Sequence, residues 1–324
     1  MGGFVDPYTK QPLTEDEEGN LYCEKGGERV VYKNHGGAYD FVHPQTRTGA
    51  EKEFYDHQYT HLKEERITLA GMRRFWTDVL LQENITLLKS MGDLTGKRIL
   101  LLGNGVSRKE LYFLHLGAEV VFTDLSIEAA RHMQHLHAVS EFKDLDYDRI
   151  EFHAVDAMHL PFPDGSFDII YGSAFVHHLE DLDGFFAEVS RCLKDGGICR
   201  FYDGAYSPVW QAAKHTVLKP LRMYVHKKRG ASAEDLRATA RGGYRREELA
   251  RIMEKFGFKS MVFRPFSFFL YISKRAVGKI IGWDAKVFRV ARPFLILAKW
   301  SDDLLHKTGL LANNLVCLVW GFDK

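Results

Sequence analysis

Two adjacent histidines (His177 and His178), two aspartates (Asp124 and Asp156) and a glycine turn (Gly103-Asn104-Gly105) are the residues of this chain best suited to chemistry. A neutral imidazole takes up a proton near neutral pH, so either histidine suits a general base acting on a hydroxyl. The competing reading of the pair is structural packing. Asp124 closes an apolar run, Val120-Val121-Phe122, and an ionised carboxylate there accepts hydrogen bonds from neutral hydroxyl donors. The glycine turn follows a second apolar run, Ile99 to Leu102, and lets a ligand approach the backbone. A strand, a glycine turn, a helix and a second strand with a carboxylate about 20 residues on make half of a nucleotide-binding βαβ unit. An ordinary strand-turn-helix fits the same residues, because the third glycine of the dinucleotide fingerprint is replaced by Val106-Ser107-Arg108.

The elements that must hold these residues follow from periodicity. From Lys97 onward, β-prone runs near 98–103, 118–123, 150–155, 167–172 and 197–203 alternate with helical stretches near 107–116, 126–138 and 181–194. Such alternation predicts an α/β fold, with a mostly parallel sheet and helices on both faces. Ser126 suits an N-cap with Glu128 in the first turn, and Gly196-Gly197 reads as a helix stop leading into the next strand. A helix at 244–256 closed by Gly257, a strand at 258–263 and a buried strand within Asn314 to Phe322 complete the pattern.

Residues 1–45 are glycine-rich with short β-prone pieces, and 46–96 change to helical periodicity. The core, 97–324, is interrupted at 206–243 and at 264–311. The 324 residues are 45% hydrophobic and 27% charged with a formal net charge of +1, the profile of a globular chain with no global demand for nucleic acid. The scattered cysteines Cys23, Cys192, Cys199 and Cys317 fit reduced thiols in the cytoplasm rather than a disulfide framework. The N-terminus carries no secretory pattern, and no apolar run reaches the ~18 residues of a membrane span.

Residues 151–199 decide between cofactors. They carry Asp156-Ala157, Leu160-Pro161-Phe162, Phe167-Asp168, His177-His178-Leu179 and Leu193-Lys194-Asp195-Gly196-Gly197, in that order. In these motifs the chain resembles the class I S-adenosylmethionine-dependent methyltransferases of the small-molecule, quinone-methyltransferase-like branch. The resemblance covers 97–205 closely and 244–324 in outline, and it implies a Rossmann-like, seven-stranded sheet. It implies that Gly103, Asn104 and Gly105 face the methionine portion of S-adenosylmethionine. Asp124 and Leu125 would face the ribose, and Asp156, Ala157 and Met158 the adenine. Ser173 would face the sulfonium end. Tyr59, on a helix closing over the site, would reach the methionine end; an aromatic stripe with Tyr55, packed on the sheet, fits equally. Two positions depart from the family: Leu101 stands where an acid usually lies, and Ser107 at the third small position. The loss removes a carboxylate that would organise the cofactor's ammonium group, unless another group compensates.

The N-terminal segment is similar to a zinc ribbon found ahead of some methyltransferase domains, in degenerate form. Asp6-Pro7-Tyr8-Thr9 stands for Cys-Pro-x-Cys, and Cys23-Glu24-Lys25-Gly26-Gly27 for Cys-x-x-Cys-Gly. With three of four thiolates missing, no metal is expected. The interruptions are expected to shape the acceptor site. The first contains a basic cluster, Lys214 to Arg229, suited to an anionic group or to a solvated face. The second carries an apolar stripe (Ala276, Val277, Ile280, Ile281, Val287, Phe288, Ala291, Phe294, Leu295) with basic residues elsewhere and Pro293 as a kink. That stripe reads as an acceptor lid, with peripheral membrane contact through 266–299 as the alternative.

The expected function is methyl transfer from S-adenosylmethionine to a hydrophobic small-molecule acceptor, with an anionic handle as an option, as O-methylation in secondary metabolism, with His177 or His178 as base. The alternatives are C-methylation of a quinone-like or lipid acceptor, and a cofactor-binding protein with lost or altered chemistry. Nothing in the sequence speaks to oligomeric state.

Overall fold

The computed structural model describes residues 3–42, 47–60, 68–138, 146–179, 181–208, 243–280, 285–308 and 315–324. The chain opens with an antiparallel sheet in the order β1 (Thr14–Glu15), β2 (Leu21–Lys25), β3 (Glu28–Tyr32). Three helices follow: α1 (Arg47–Thr60), α2 (Leu69–Thr77) and α3 (Gln82–Met91). Then come β4 (Arg98–Leu102), the short helix α4 (Tyr112–His115), β5 (Glu119–Asp124), α5 (Ile127–Ala138), β6 (Ile150–Ala154) and β7 (Phe167–Ser173). The C-terminal part holds α6 (Leu182–Cys192), β8 (Leu193–Gly204), α7 (Arg246–Lys255), β9 (Ser260–Phe266), α8 (Phe269–Ile280), α9 (Ala285–Lys307) and β10 (Cys317–Asp323).

The main sheet has seven strands in the order β6-β5-β4-β7-β8-β10-β9. The pairings from β6 to β8 are parallel, and β10 runs antiparallel to both β8 and β9. Ile99 to Leu102 are all buried, which is why a continuous apolar run, rather than an alternating one, forms the central strand β4. The chain winds outward from β4 through β5 to β6, then crosses back to β7. The crevice at the carboxyl ends of β4 and β7 is therefore the topological switch point, where open α/β sheets bind ligands.

Gly196-Gly197 does not end a helix. α6 stops at Cys192, and Gly196, with φ +76°, lies within β8. The β7–β8 register shifts between Phe167 and Ile169, so the glycines serve an irregular strand start instead of a helix stop. The second interruption begins with the end of β9 and contains two helices, α8 and α9, so its apolar stripe is divided between them. The basic cluster 214–229 lies outside the described residues.

The N-terminal sheet is stitched to the main one. Phe41 N donates to Ala154 O at 2.9 Å and Ala154 N to Tyr39 O at 2.9 Å, so residues 39–41 run along the free edge of β6. Within the module, Asp6 takes five donors. Its Oδ1 accepts from Tyr8 N (3.0 Å), Thr9 N (2.6 Å) and Thr9 Oγ1 (2.9 Å), and its Oδ2 from Cys23 Sγ (3.3 Å) and Tyr32 Oη (2.6 Å). Asp6, Thr9 and Cys23 thus converge around one carboxylate. Among the described residues no group of three His, Cys, Asp or Glu is arranged to hold a metal.

Burial alone would raise the Asp6 pKa; the donors, Tyr32 foremost, outweigh it and hold the group down to about 2. A lowered carboxylate adds stability above its unfolded value, and that stability is lost as pH falls through the folded value. The gap corresponds to about 2 kcal/mol. Asp6→Asn is expected to lower the urea midpoint at neutral pH by a corresponding amount, with the difference from wild type closing as pH falls from near 4 toward 2. An unchanged midpoint would show that the carboxylate does not hold the module.

Candidate active site

The glycine turn is built as the sequence implied. Gly103 and Gly105 have φ of +59° and +54°, a region that favours glycine. Asn104 N donates to Thr123 O at 3.0 Å, and Gly105 N donates to Asp124 Oδ2 at 2.7 Å. The turn after β4 is therefore tied to the end of β5. A Cβ on Gly103 would lie 2.7 Å from Cβ of Phe175, and one on Gly105 would lie 2.8 Å from the Tyr59 hydroxyl. Each glycine makes room for an aromatic side chain closing on the turn.

Asp124 accepts from Gly105 N and, through Oδ1, from Ser126 N at 3.1 Å. Burial pushes its pKa upward. Among the described residues no basic side chain is paired with it, so its ionised form depends on neutral donors such as amides and hydroxyls. Val155 N donates to Asp124 O at 2.7 Å, which brings the end of β6 alongside. There Met158 N donates to Asp156 Oδ1 at 2.9 Å, with Ala157 between them. Gly103, Asn104, Gly105, Asp124, Leu125, Asp156, Ala157 and Met158 thus line the carboxyl ends of three neighbouring strands.

Helix α1 closes over this edge. Asp56 Oδ1 accepts from the Ser126 hydroxyl and from Glu128 N at 3.3 Å, so a carboxylate from another helix supplements Ser126 at the N-terminus of α5. An anion there is favoured by the helix dipole. Asp56 is anchored in turn by Lys52 at 2.8 Å, which also reaches Asp40 at 3.2 Å. Tyr59, one turn on, sits over Gly105, and Tyr55 stacks on it with ring centroids 6.2 Å apart. Burial first, then the nearby Asp124, raises the Tyr59 pKa well above the usual phenol value. The two tyrosines thus form a stacked pair whose Tyr59 hydroxyl lies on the turn.

Leu101 is fully buried, as its apolar type requires. Its register partner on β7 is Tyr171, and the Tyr171 hydroxyl donates to Glu110 Oε1 at 3.4 Å. Ser107 Oγ donates to Glu110 Oε2 at 2.6 Å, and Lys109 Nζ lies 3.7 Å from Oε1. Glu110 is 1% exposed. Burial raises its pKa, against the smaller lowering effects of Lys109 and Ser107. A buried acid therefore stands behind the turn, held by Ser107, one of the two departures, and by the neighbour of Leu101, the other. Sequence reading missed it because an acid in a short helix looks like surface charge.

At the end of β7, Ala174 has φ +58°, a strained conformation for a residue with a Cβ. It follows Ser173 and leads into the one-turn helix Val176–His178. His177 Nδ1 lies 2.6 Å from Oδ1 of Asp203 on β8, and the Asp203 side chain is fully buried. With that carboxylate ionised, Nδ1–H is the donor of the pair. The His178 ring is 4.1 Å from that of His177. Desolvation first, and His177 second, lower its pKa, which favours the neutral imidazole.

A family described as a methyltransferase domain matches residues 100–201, which run from β4 to β8 and contain the turn, Asp124, Asp156 and the histidine pair. Sterol 24-C-methyltransferase from Pneumocystis carinii is 33% identical over 112 residues, 33% of this chain and 28% of that protein. The 27-O-demethylrifamycin SV methyltransferase from Amycolatopsis mediterranei is 30% identical over 102 residues, 32% of this chain and 36% of that protein. The matched segment spans only about a third of either relative. Among solved structures, geranyl diphosphate C-methyltransferase from Streptomyces coelicolor, in complex with S-adenosyl-L-homocysteine, superposes with a TM-score of 0.53 at 14% identity. That alignment covers 87% of this chain and 99% of the other, so the fold extends well beyond the matched domain.

Proposed function

We propose that the protein transfers the methyl group of S-adenosylmethionine to a hydroxyl of a hydrophobic small molecule. The observation that carries this reading is the His177–Asp203 pair, 2.6 Å apart at the switch-point crevice. The residues of the crevice fit the cofactor. Asp124 is a buried carboxylate with amide donors and, among the described residues, no cation, a setting that suits two ribose hydroxyls. Asp156 and Met158 suit an adenine ring, by an acceptor for its amino group and an adaptable apolar face. Ser173 is assigned to the sulfonium end, and Tyr59 to the methionine end. Glu110 supplies the negative charge that Leu101 lacks. Bound there, S-adenosylmethionine supplies an electrophilic methyl group.

The protein's share of the chemistry is alignment and proton removal. His177 Nε2 takes the proton of the acceptor hydroxyl, and Asp203 fixes the tautomer and stabilises the imidazolium that forms. His178, neutral beside it, packs against the base. C-methylation of a lipid-like acceptor is the second reading, favoured by the likeness to sterol 24-C-methyltransferases; an acidic carbon or an alkene would then replace the hydroxyl.

The test is to incubate purified protein with an extract of apolar metabolites and cofactor labelled in its methyl group. Label released as methyl iodide by hydriodic acid cleavage of an organic-soluble product supports transfer to a hydroxyl. Label retained on carbon supports the second reading. The absence of label from every product, in protein that binds S-adenosylhomocysteine, would contradict both.

A further inference from the structure

Eleven large apolar side chains are exposed among the described residues, and seven of them stand on α8 and α9: Phe269, Ile272, Val290, Phe294, Leu297, Trp300 and Leu304. The five on α9 follow spacings of four, three, three and four residues, which places them on one helix face. Their exposure runs from 57% for Phe294 to 83% for Val290. In the structure this face is turned out toward solvent.

The opposite face fixes that orientation. Leu295 is fully buried in a small cluster with Leu80 and Leu270. Asp302, 3% exposed, accepts from the backbone amides of Phe268, Phe269 and Leu270 at 3.1, 2.8 and 2.9 Å, capping the start of α8. Arg292 reaches Asp78 at 2.8 Å, and Lys274 reaches Glu83 at 3.1 Å. Rotating α9 to bury the stripe would uncover Leu295 and strip the cap from α8.

Charge separates the occupants of such a face. On α9 the exposed Arg289 and Lys307 border the apolar stripe, and neither acid of the helix leaves an unpaired charge there. Asp302 is buried under α8, and Asp303 is paired with Lys299 at 2.5 Å. A face that is apolar along its centre and cationic at its border, with its one partly exposed acid neutralised by Lys299, complements an anionic surface, and it repels its own copy across a two-fold axis. Trp300 suits the boundary between headgroups and acyl chains, because indole combines an apolar body with a polar N–H. No helix among the described residues is long and apolar enough to cross a membrane, so contact would be made along the surface.

We propose that the α8–α9 hairpin docks the protein on an anionic lipid bilayer, with Val290, Phe294, Leu297, Trp300 and Leu304 inserted at the interface and Arg289 and Lys307 on the headgroups. Apolar burial and attraction to anionic lipid act together in this binding mode.

The experiment is co-sedimentation of the full chain with vesicles of phosphatidylcholine alone and of phosphatidylcholine mixed with phosphatidylserine. The expected result is binding to the mixed vesicles, lowered roughly tenfold in Leu297→Ser/Trp300→Ser and again in Arg289→Glu/Lys307→Glu. These side chains are exposed, so both variants are expected to keep the wild-type melting temperature, which is checked in parallel. Equal sedimentation of wild type and both variants overturns the proposal. So does a wild-type dimer in solution that the apolar double variant dissociates without any vesicle binding. The readout is binding and requires no turnover, so it stands apart from the methyl-transfer reading.

Discussion

His177→Ala lowers methyl-transfer turnover by roughly 10²-fold or more, the usual contribution of a positioned general base, while the affinity for S-adenosylhomocysteine changes little. The reason is the division of labour at the crevice. The cofactor's assigned contacts come from the ends of β4, β5, β6 and β7, from Tyr59 on α1 and from Glu110 behind the turn, whereas His177 is held by Asp203 from β8. Asp203→Asn keeps the shape but supplies an amide where the imidazolium needs a charge, so it lowers turnover in the same direction by a smaller factor. His178→Ala is expected to have the mildest effect, because among the described residues no carboxylate orients this ring. The comparison is steady-state kinetics of the three variants beside calorimetric affinity for S-adenosylhomocysteine. Unchanged turnover in both histidine variants would remove the base and leave alignment alone as the source of rate.

Glu110→Gln weakens S-adenosylhomocysteine by about 10- to 100-fold, the range lost with a hydrogen bond between charged groups. It leaves 5′-methylthioadenosine, which lacks the ammonium and carboxylate, bound as in wild type. The glutamine preserves volume and can still accept from Ser107 at the position now 2.6 Å away, so what is lost is charge. The effect of pH has a definite sign. Burial raises the Glu110 pKa, so the carboxylate that attracts the ammonium is complete at high pH and is lost as pH falls through a value above the ordinary carboxylate range. Asp124 is raised for the same reason and titrates in the same direction, and the difference between wild type and the glutamine variant isolates the share of Glu110. Equal losses for both ligands would make Glu110 a support of the turn rather than a partner of the amino-acid end.

The parts of this fold that were legible in the sequence are those where burial dictates residue type locally. β4 and β5 are apolar because both faces are covered, and the glycines between them are required by positive φ and by the approach of Phe175 and Tyr59. Asp124 stands out by its spacing from the glycine turn, and Asp156 by the motifs that follow it. What escaped notice depends on contacts between distant segments. Asp203 lies 26 residues beyond His177 inside a strand, where its type alone says nothing about orientation. Glu110 becomes meaningful only once Tyr171 is known to be the neighbour of Leu101. Gly196-Gly197 carried a helix-stop signal that the strand overrode. The apolar residues of 264–311 announced an amphipathic segment but not which face would be covered, because Asp302 and Leu295 make that choice through α8 and Leu80.

The central claim is that the crevice at β4 and β7 is an S-adenosylmethionine site, and titration calorimetry of the purified protein with S-adenosylhomocysteine tests it most directly. One-to-one binding that Asp124→Ala abolishes, with the fold intact by circular dichroism, is the predicted result. No heat of binding to folded wild-type protein, or binding that Asp124→Ala leaves unchanged, would contradict it.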